Sequence, residues 1–207
     1  MSTITLYRHA LSGHSHRVET FLSILGRDAN IVDVDLANGA HKQPEYLEKN
    51  RFGQVPVLED AGSTISDSNA ILIYLASKYD EQRSWLPEDL AQAAEVHRFL
   101  SVAAGKIAFG PAAARLVNVF GATLDHDNAI ATAHQILKDL DQHLEGRNWL
   151  VSEHATIADI ANYAYIAHAP EGNVSLDEYA NIRSWLARIE QLDGFIPMQA
   201  TAVGLAA

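Results

Sequence analysis

The chain of 207 residues contains no cysteine. Disulfide bonds, thiolate metal sites and a cysteine nucleophile are therefore excluded, and thiol usage does not indicate a redox compartment. Basic residues are also few, with 15 Lys and Arg against 26 Asp and Glu and a formal net charge of −11. They form no cluster that would attract phosphates or anionic lipids, so we expect neither a nucleic acid nor a membrane as a partner.

The sequence also lacks a long apolar run. No stretch approaches the ~18 consecutive apolar residues of a transmembrane helix, and the first residues show no basic segment followed by an apolar one. We therefore expect a cytoplasmic protein. With 48% hydrophobic and 20% charged residues, the chain has the composition of a globular protein that is long enough for two small domains.

The first 80 residues alternate between strand and helix patterns. Residues 3–7 and 29–36 alternate in polarity as strands do, and apolar residues recur at helical spacing between them. A short helix at 45–50, two strands around a turn at Gly62 and a further helix follow. The order βαβ, short helix, ββα predicts an α/β domain of thioredoxin-like type over residues 1–80.

The remainder of the chain has helical patterns only. A polar segment at 81–90 predicts a linker, and residues 91–207 predict an all-helical domain. The long helix at 90–120 should kink at Gly110-Pro111, because proline removes an amide donor and clashes with the preceding turn. Asp127 and Thr156 are predicted to open further helices, and 182–192 forms the last.

Thr156 and Asp159 form a capping-box pattern, in which each side chain satisfies a backbone amide near the other residue. We interpret Asp159 as a structural cap. A catalytic or metal-binding aspartate is the alternative that the spacing leaves open.

Two motifs in the stretch 53–74 point to a small-molecule site. Asp67-Ser68 stands at a predicted helix start, where amide groups and the helix dipole attract a carboxylate and the Asp67 side chain can accept from an amine. A zwitterionic amino-acid head group would fit there. Val55-Pro56 stands in a short apolar stretch that is predicted to form a strand. The alternative is a trans proline at a strand edge and a plain helix cap.

Together these motifs resemble the glutathione-binding half of the glutathione S-transferases, of serine type and of the cytosolic, bacterial-like kind. The resemblance implies a cis Val55-Pro56 bond, glutathione as co-substrate and no metal. It also implies a set of glutathione-binding residues: Gln54, Val55, Pro56, Asp67, Ser68 and, at positions that hold the glycine carboxylate in some members, His41 and Lys42. Solvated loop charges are the alternative for His41 and Lys42. Asn69 departs from the family pattern, since arginine is common there.

The loop before the first helix, residues 8–18, resembles the serine-type pattern, and Ser12 matches the serine that stabilises the thiolate. We expect Ser15 to cap the helix and leave Ser12 free for the sulfur. Tyr7 is the other candidate, because some transferase classes use a tyrosine near the end of the first strand. A metal site at His9, His14 and His16 is disfavoured because no carboxylate or thiol accompanies them.

The resemblance implies an enzyme of detoxification that conjugates glutathione to small apolar electrophiles. Leu11 and Phe109 are the candidates for the electrophile pocket, with a place in the core as their alternative. A homodimer is expected from the resemblance and from the long apolar helix. Two other functions stay open: a non-catalytic scaffold with the same fold, and a glutathione-dependent isomerase, peroxidase or disulfide reductase.

Overall fold

A computed structural model describes residues 4–207, which group into two compact units. The first unit runs to Arg83 and includes Leu192–Gln199, and the second comprises Ser84–Gln191 and Ala200–Ala207. The boundaries predicted from the sequence, 1–80, 81–90 and 91–207, stay a prediction. The structure adds that a short segment after the last long helix belongs to the first unit.

The first unit is built on a four-stranded mixed sheet in the order β2-β1-β3-β4. Its strands are β1 Ile4–Arg8, β2 Ala29–Asp33, β3 Val57–Asp60 and β4 Ser63–Ser66. Its helices are α1 Gly13–Ile24, α2 Pro44–Leu47 and α3 Ser68–Tyr79, with a 3-10 turn at Ala40–Lys42. Of the strand pairs within residues 4–207, only β1–β2 is parallel. The predicted βαβ, short helix, ββα order is confirmed.

The two faces of the sheet follow the alternation of the sequence. Leu6 lies opposite Leu58, and both side chains are fully buried. On the other face Tyr7 lies opposite Val57, which packs against Tyr46 of α2. Because successive strand residues point to opposite faces, this pairing fixes which side chains meet each helix layer.

The segment Leu192–Gln199 is held on α1 by polar contacts. His16 Nε2 lies 2.7 Å from the carbonyl oxygen of Ile196, and the Thr20 hydroxyl donates to the same oxygen at 3.1 Å. Gly194 has a φ of +80°, and a Cβ there would lie 2.7 Å from the carbonyl oxygen of Ser23. The segment therefore packs directly on the helix backbone.

The second unit consists of helices, as predicted. They are α4 Leu90–Val102, a π-helical stretch Ala103–Ala112, α5 Ala113–Phe120, α6 His126–His143, α7 Ile157–Ala167 and α8 Ala180–Ile189. The kink predicted at Gly110-Pro111 stays a prediction; the structure places Pro111 inside the π-helical stretch, where wider turns accommodate its missing amide. One local prediction was wrong. The cap of α6 is Asp125 rather than Asp127, and its carboxylate accepts from the Asn128 amide at 3.0 Å.

By length and composition alone, the helical run Leu90–Phe120 could cross a membrane, with a mean hydropathy of 1.2 in its most apolar window. In the structure 44% of that window is buried. A single helix of this kind is weak evidence for a membrane span, because core helices can have the same length and composition.

Helix α7 is the central helix of the second unit, since every residue from Ile157 to Ile166 is buried. Its capping box is present as predicted: the Thr156 hydroxyl accepts an amide from the first turn, and Asp159 accepts the Thr156 amide at 2.9 Å. Asp159 also accepts from the Leu150 amide at 3.0 Å and from Trp185 Nε1 at 2.9 Å. Burial raises the pKa of Asp159, and these donors oppose the rise.

We expect Asp159→Ala to lower the free energy of unfolding by about 3 to 5 kcal/mol, more than the loss of a helix cap alone, because several buried donors lose their acceptor together. Chemical denaturation measures the effect. Asp159→Asn should not restore stability. The asparagine NH2 group is a donor, and it would face N–H donors that now bind a carboxylate oxygen. The matched control is Asp139→Ala on the exposed side of α6. A loss below about 1 kcal/mol for Asp159→Ala would contradict the capping role.

Candidate active site

The register of the sheet brings the predicted site residues to one edge. Tyr7 near the end of β1 lies opposite Val57 at the start of β3, which lies opposite Ser66 at the end of β4. Strand β2 runs parallel to β1, so it ends at the same edge. The segments that leave this edge carry the candidates Ser12, His41, Lys42, Gln54, Val55, Pro56, Asp67 and Ser68.

Ser12 is the N-cap of α1, which corrects the prediction that Ser15 caps this helix. Its Oγ accepts from the Ser15 amide at 3.2 Å. Ser15 is fully buried inside the first turn, where its own Oγ accepts from the His9 amide. Ser12 is half-buried, and among residues 4–207 its hydroxyl donates to no acceptor. Capping uses an oxygen lone pair, so the hydroxyl hydrogen is left for a ligand.

The Val55-Pro56 bond is cis, as predicted. Within the described part of the chain, neither the amide nor the carbonyl of Val55 has a hydrogen-bond partner. The preceding carbonyl of Gln54 is held by the Tyr46 hydroxyl and by Asn50 Nδ2, each at 2.9 Å. This loop is thus fixed from one side and offers open backbone at Val55.

Asp67 is the N-cap of α3, in an unusual backbone conformation with φ +73°. Its Oδ1 accepts from the amides of Asn69 and Ala70, at 2.9 and 3.0 Å. The sequence led us to expect several open amides here, but these two are taken. The Ser68 amide has no partner among residues 4–207 and remains available to an anion, while Asp67 keeps its second carboxylate oxygen exposed.

Two basic side chains of α1 reach the start of α3, and the sequence had not assigned either to the site. The Arg17 guanidinium donates to Ser68 Oγ at 3.3 Å and to Asn69 Oδ1 at 2.8 Å. His14 Nδ1 lies 3.3 Å from the same Ser68 oxygen. Burial, with a smaller contribution from Arg17, lowers the pKa of His14 to about 3, so its ring is neutral. The N-termini of α1 and α3 are therefore joined by hydrogen bonds.

The apolar pattern of α1 contained a signal that could have identified Arg17 as a buried residue with a polar partner. Arg17 stands four residues before Phe21, on the buried stripe of α1, and is only 1% exposed. A charged residue on an apolar stripe indicates a buried polar partner, because burying an isolated charge is costly.

His41 and Lys42 form part of the 3-10 turn. The Lys42 ammonium donates to the carbonyls of Phe52 and Gly53, at 3.2 and 3.1 Å, which ties the turn to the loop before Pro56. Gly53 has φ +56°, and a Cβ there would lie 2.7 Å from the His41 carbonyl oxygen. Burial, followed by the Lys42 charge, lowers the pKa of His41.

The Tyr7 hydroxyl is already engaged in a hydrogen bond. It donates to Glu59 at 3.0 Å, and Lys49 Nζ binds the other oxygen of Glu59 at 2.5 Å. The hydrogen bond from Lys49, against the effect of burial, holds the pKa of Glu59 below its usual value. Because the Tyr7 hydrogen is already donated to a carboxylate, Tyr7 is a poorer thiolate donor than Ser12.

The two candidates for the electrophile pocket belong to different units. Leu11 is half-buried in the first unit, and Phe109 lies in the second unit with 72% of its surface exposed, so Phe109 is not a core residue. The electrophile pocket stays a prediction. In the part of the chain that the structure describes, no group of three or more His, Asp and Glu side chains is placed to hold a metal ion.

Comparison with known proteins finds relatives that are similar in sequence and in fold. A family model for the N-terminal domain of glutathione S-transferase matches residues 2–77, and one for the C-terminal domain matches residues 120–193. Glutathione S-transferase 3 of Zea mays is 37% identical over 175 residues, which cover 80% of this chain and 78% of that protein. The chain belongs to the glutathione S-transferase family.

Solved structures of other transferases agree with this assignment. A glutathione S-transferase from Pseudomonas fluorescens superposes with a TM-score of 0.90 at 27% identity, over 96% of this chain and 100% of that one. A glutathione transferase homolog from Drosophila mojavensis with bound glutathione superposes with a TM-score of 0.85 at 28% identity, over 93% and 89% of the two chains. The resemblance found in the motifs is confirmed, and the protein is a glutathione transferase enzyme.

Proposed function

We propose that this transferase stabilises the glutathione thiolate with the Ser12 hydroxyl and conjugates it to small apolar electrophiles in the cytoplasm. The observation that carries the proposal is the position of Ser12 at the N-cap of α1, half-buried and with its hydroxyl hydrogen undonated among residues 4–207. A sulfur bound there would meet a hydroxyl donor and the positive end of a helix dipole.

The energies are of the right size for this role. A free thiol has a pKa of about 8.5. Lowering that pKa to about 6.5 requires that the site stabilise the thiolate over the thiol by about 2.7 kcal/mol. A hydrogen bond to a charged group contributes roughly 1.5 to 3 kcal/mol. The helix N-terminus adds about 0.3 to 1 kcal/mol. Ser12 would thus supply most of the shift, and the dipole the rest.

The peptide part of glutathione has complementary partners at the same sheet edge. We assign the open backbone of Val55, beside Gln54 and Pro56, to the cysteinyl backbone, since extended peptides pair with exposed backbone in this way. The Ser68 amide suits the γ-glutamyl carboxylate and Asp67 its amine. His41 and Lys42 suit the glycine carboxylate, and Leu11 and Phe109 each remain a candidate for contact with the electrophile.

A two-fold homodimer is part of the proposal. In the second unit several large apolar side chains are exposed, namely Leu90, Phe109, Leu116, Phe120 and Leu124. Burial of exposed apolar side chains favours association, and like chains usually associate with two-fold symmetry.

Ser12→Ala is expected to lower turnover ten- to a hundredfold and to move the pH-rate profile alkaline by about one unit or more, with little change in glutathione affinity. Conjugation of a model electrophile at several pH values measures this. Ser12→Gly is the matched control for helix capping, because glycine at an N-cap costs only a few tenths of a kcal/mol but also lacks the hydroxyl. Unchanged turnover and an unchanged profile in both variants would assign the thiolate donor elsewhere.

Asp67→Asn should weaken glutathione binding at least tenfold while the melting temperature stays close to that of the wild type. The asparagine retains a carbonyl oxygen for the cap and tolerates positive φ, but it loses the charge that binds the amine. Asp67→Ala should lose both binding and stability. Titration calorimetry and thermal unfolding separate the two effects, and an unchanged affinity in Asp67→Asn would leave Asp67 as a cap only.

Light scattering at micromolar concentration should give twice the mass of one 22.6 kDa chain. The reason is the exposed apolar surface of the second unit, which a partner copy would cover. A mass of a single chain would contradict the dimer without affecting the assignment of Ser12.

A further inference from the structure

A buried cation lies directly behind the first turn of α3. Arg17 is 1% exposed, and its guanidinium donates to Asn69 Oδ1 at 2.8 Å and to Ser68 Oγ at 3.3 Å. Both acceptors follow the cap residue Asp67, at the end of the helix that carries the partial positive charge. The guanidinium and the dipole thus act in the same direction, toward an anion at the Ser68 amide.

The charge at this position belongs to Arg17. His14 is the second basic side chain that hydrogen bonds to Ser68 in the described residues, but its lowered pKa leaves it neutral. A neutral Nδ1 can accept, so the Ser68 hydroxyl can donate to His14 while it accepts from Arg17. The Ser68 side chain is therefore held in one orientation, and its backbone amide is one of the first-turn amides that have no partner within the helix.

We propose that Arg17 is a positioning residue for the α-carboxylate of the γ-glutamyl group of glutathione. It fixes Ser68 and Asn69 by hydrogen bonds and supplies a positive charge from α1 behind the site. Asn69 stands where the family resemblance leads one to expect an arginine, and a neutral asparagine supplies no charge of its own. The inference rests on the proposed glutathione site and adds a residue on another helix to it.

Two physical features make Arg17 suited to this role. Its charge is permanent over the whole working pH range, because the guanidinium does not lose its proton in proteins. Its burial limits screening by salt and water, so its field at the Ser68 amide is stronger than that of an exposed arginine.

The test pairs a change in the enzyme with a change in the ligand. Arg17→Met removes the charge, and 4-aminobutyryl-Cys-Gly replaces glutathione by an analogue that keeps the amine and lacks the α-carboxylate. We expect Arg17→Met to raise the KM for glutathione about tenfold, as for loss of a charge-assisted interaction, with kcat and the pH-rate profile unchanged. The KM for the analogue should not change, so the preference for glutathione falls by the same factor.

Arg27→Met is the matched control, since Arg27 is exposed in the same unit and stacks on Tyr79 at 4.6 Å. It should leave both KM values at the wild-type level. In Arg17→Met/Asn69→Arg the charge returns from α3, and we expect the preference for glutathione to recover.

An equal rise in KM for glutathione and for the analogue in Arg17→Met would overturn the inference, because Arg17 would then only hold the two helices together. If that variant does not fold, Asn69→Ala removes the 2.8 Å bond instead. Asn69→Ala should raise the KM for glutathione by a smaller factor, about threefold, and leave the KM for the analogue unchanged. An equal rise in KM for both ligands would again overturn the proposal. A wild-type chain that neither binds nor conjugates glutathione would instead reject the proposed function itself.

Discussion

The pairing of β1 with β3 is the constraint on which the proposed site depends. It sets Tyr7 opposite Val57 on one face of the sheet and Leu6 opposite Leu58 on the other. A slip of one residue would exchange the two faces. It would also move the loop that carries Ser12 relative to the open backbone of Val55. The spacing of the site is therefore set by backbone hydrogen bonds rather than by the site residues themselves.

The proposed site assigns thiolate activation and head-group binding to two different helix N-termini. Helix α1 presents Ser12, whose hydroxyl suits a thiolate, and α3 presents Asp67 and Ser68, which suit an amino-acid head group. Arg17 and His14 join these ends through Ser68. Binding and activation can thus respond separately to substitution, although a single network of hydrogen bonds holds both helix ends in place.

Two buried charged residues, Arg17 in the first unit and Asp159 in the second, direct their hydrogen bonds to different kinds of partner. Asp159 takes its hydrogen bonds from donors within the second unit, including Trp185 and Leu150, and so completes a closed structural network. Arg17 gives its hydrogen bonds to residues at the start of α3, where the head group is proposed to bind. The network of Asp159 is therefore structural in our interpretation, whereas that of Arg17 extends from α1 to the proposed ligand site.

The sequence by itself determined the order of the elements, the capping box of α7, the helix start at Asp67-Ser68 and, through family resemblance, the cis Val55-Pro56 bond. These features depend on periodicity and on neighbours a few residues apart, which a single sequence displays. Only the tertiary structure decided that Ser12 rather than Ser15 caps α1, that Tyr7 donates to Glu59 and that Arg17 reaches α3. The partners of Tyr7 and Arg17 lie 51 or more residues away along the chain, so no local pattern specifies them. The Ser12 cap depends on where the turn after β1 ends, and the paired sheet fixes that point.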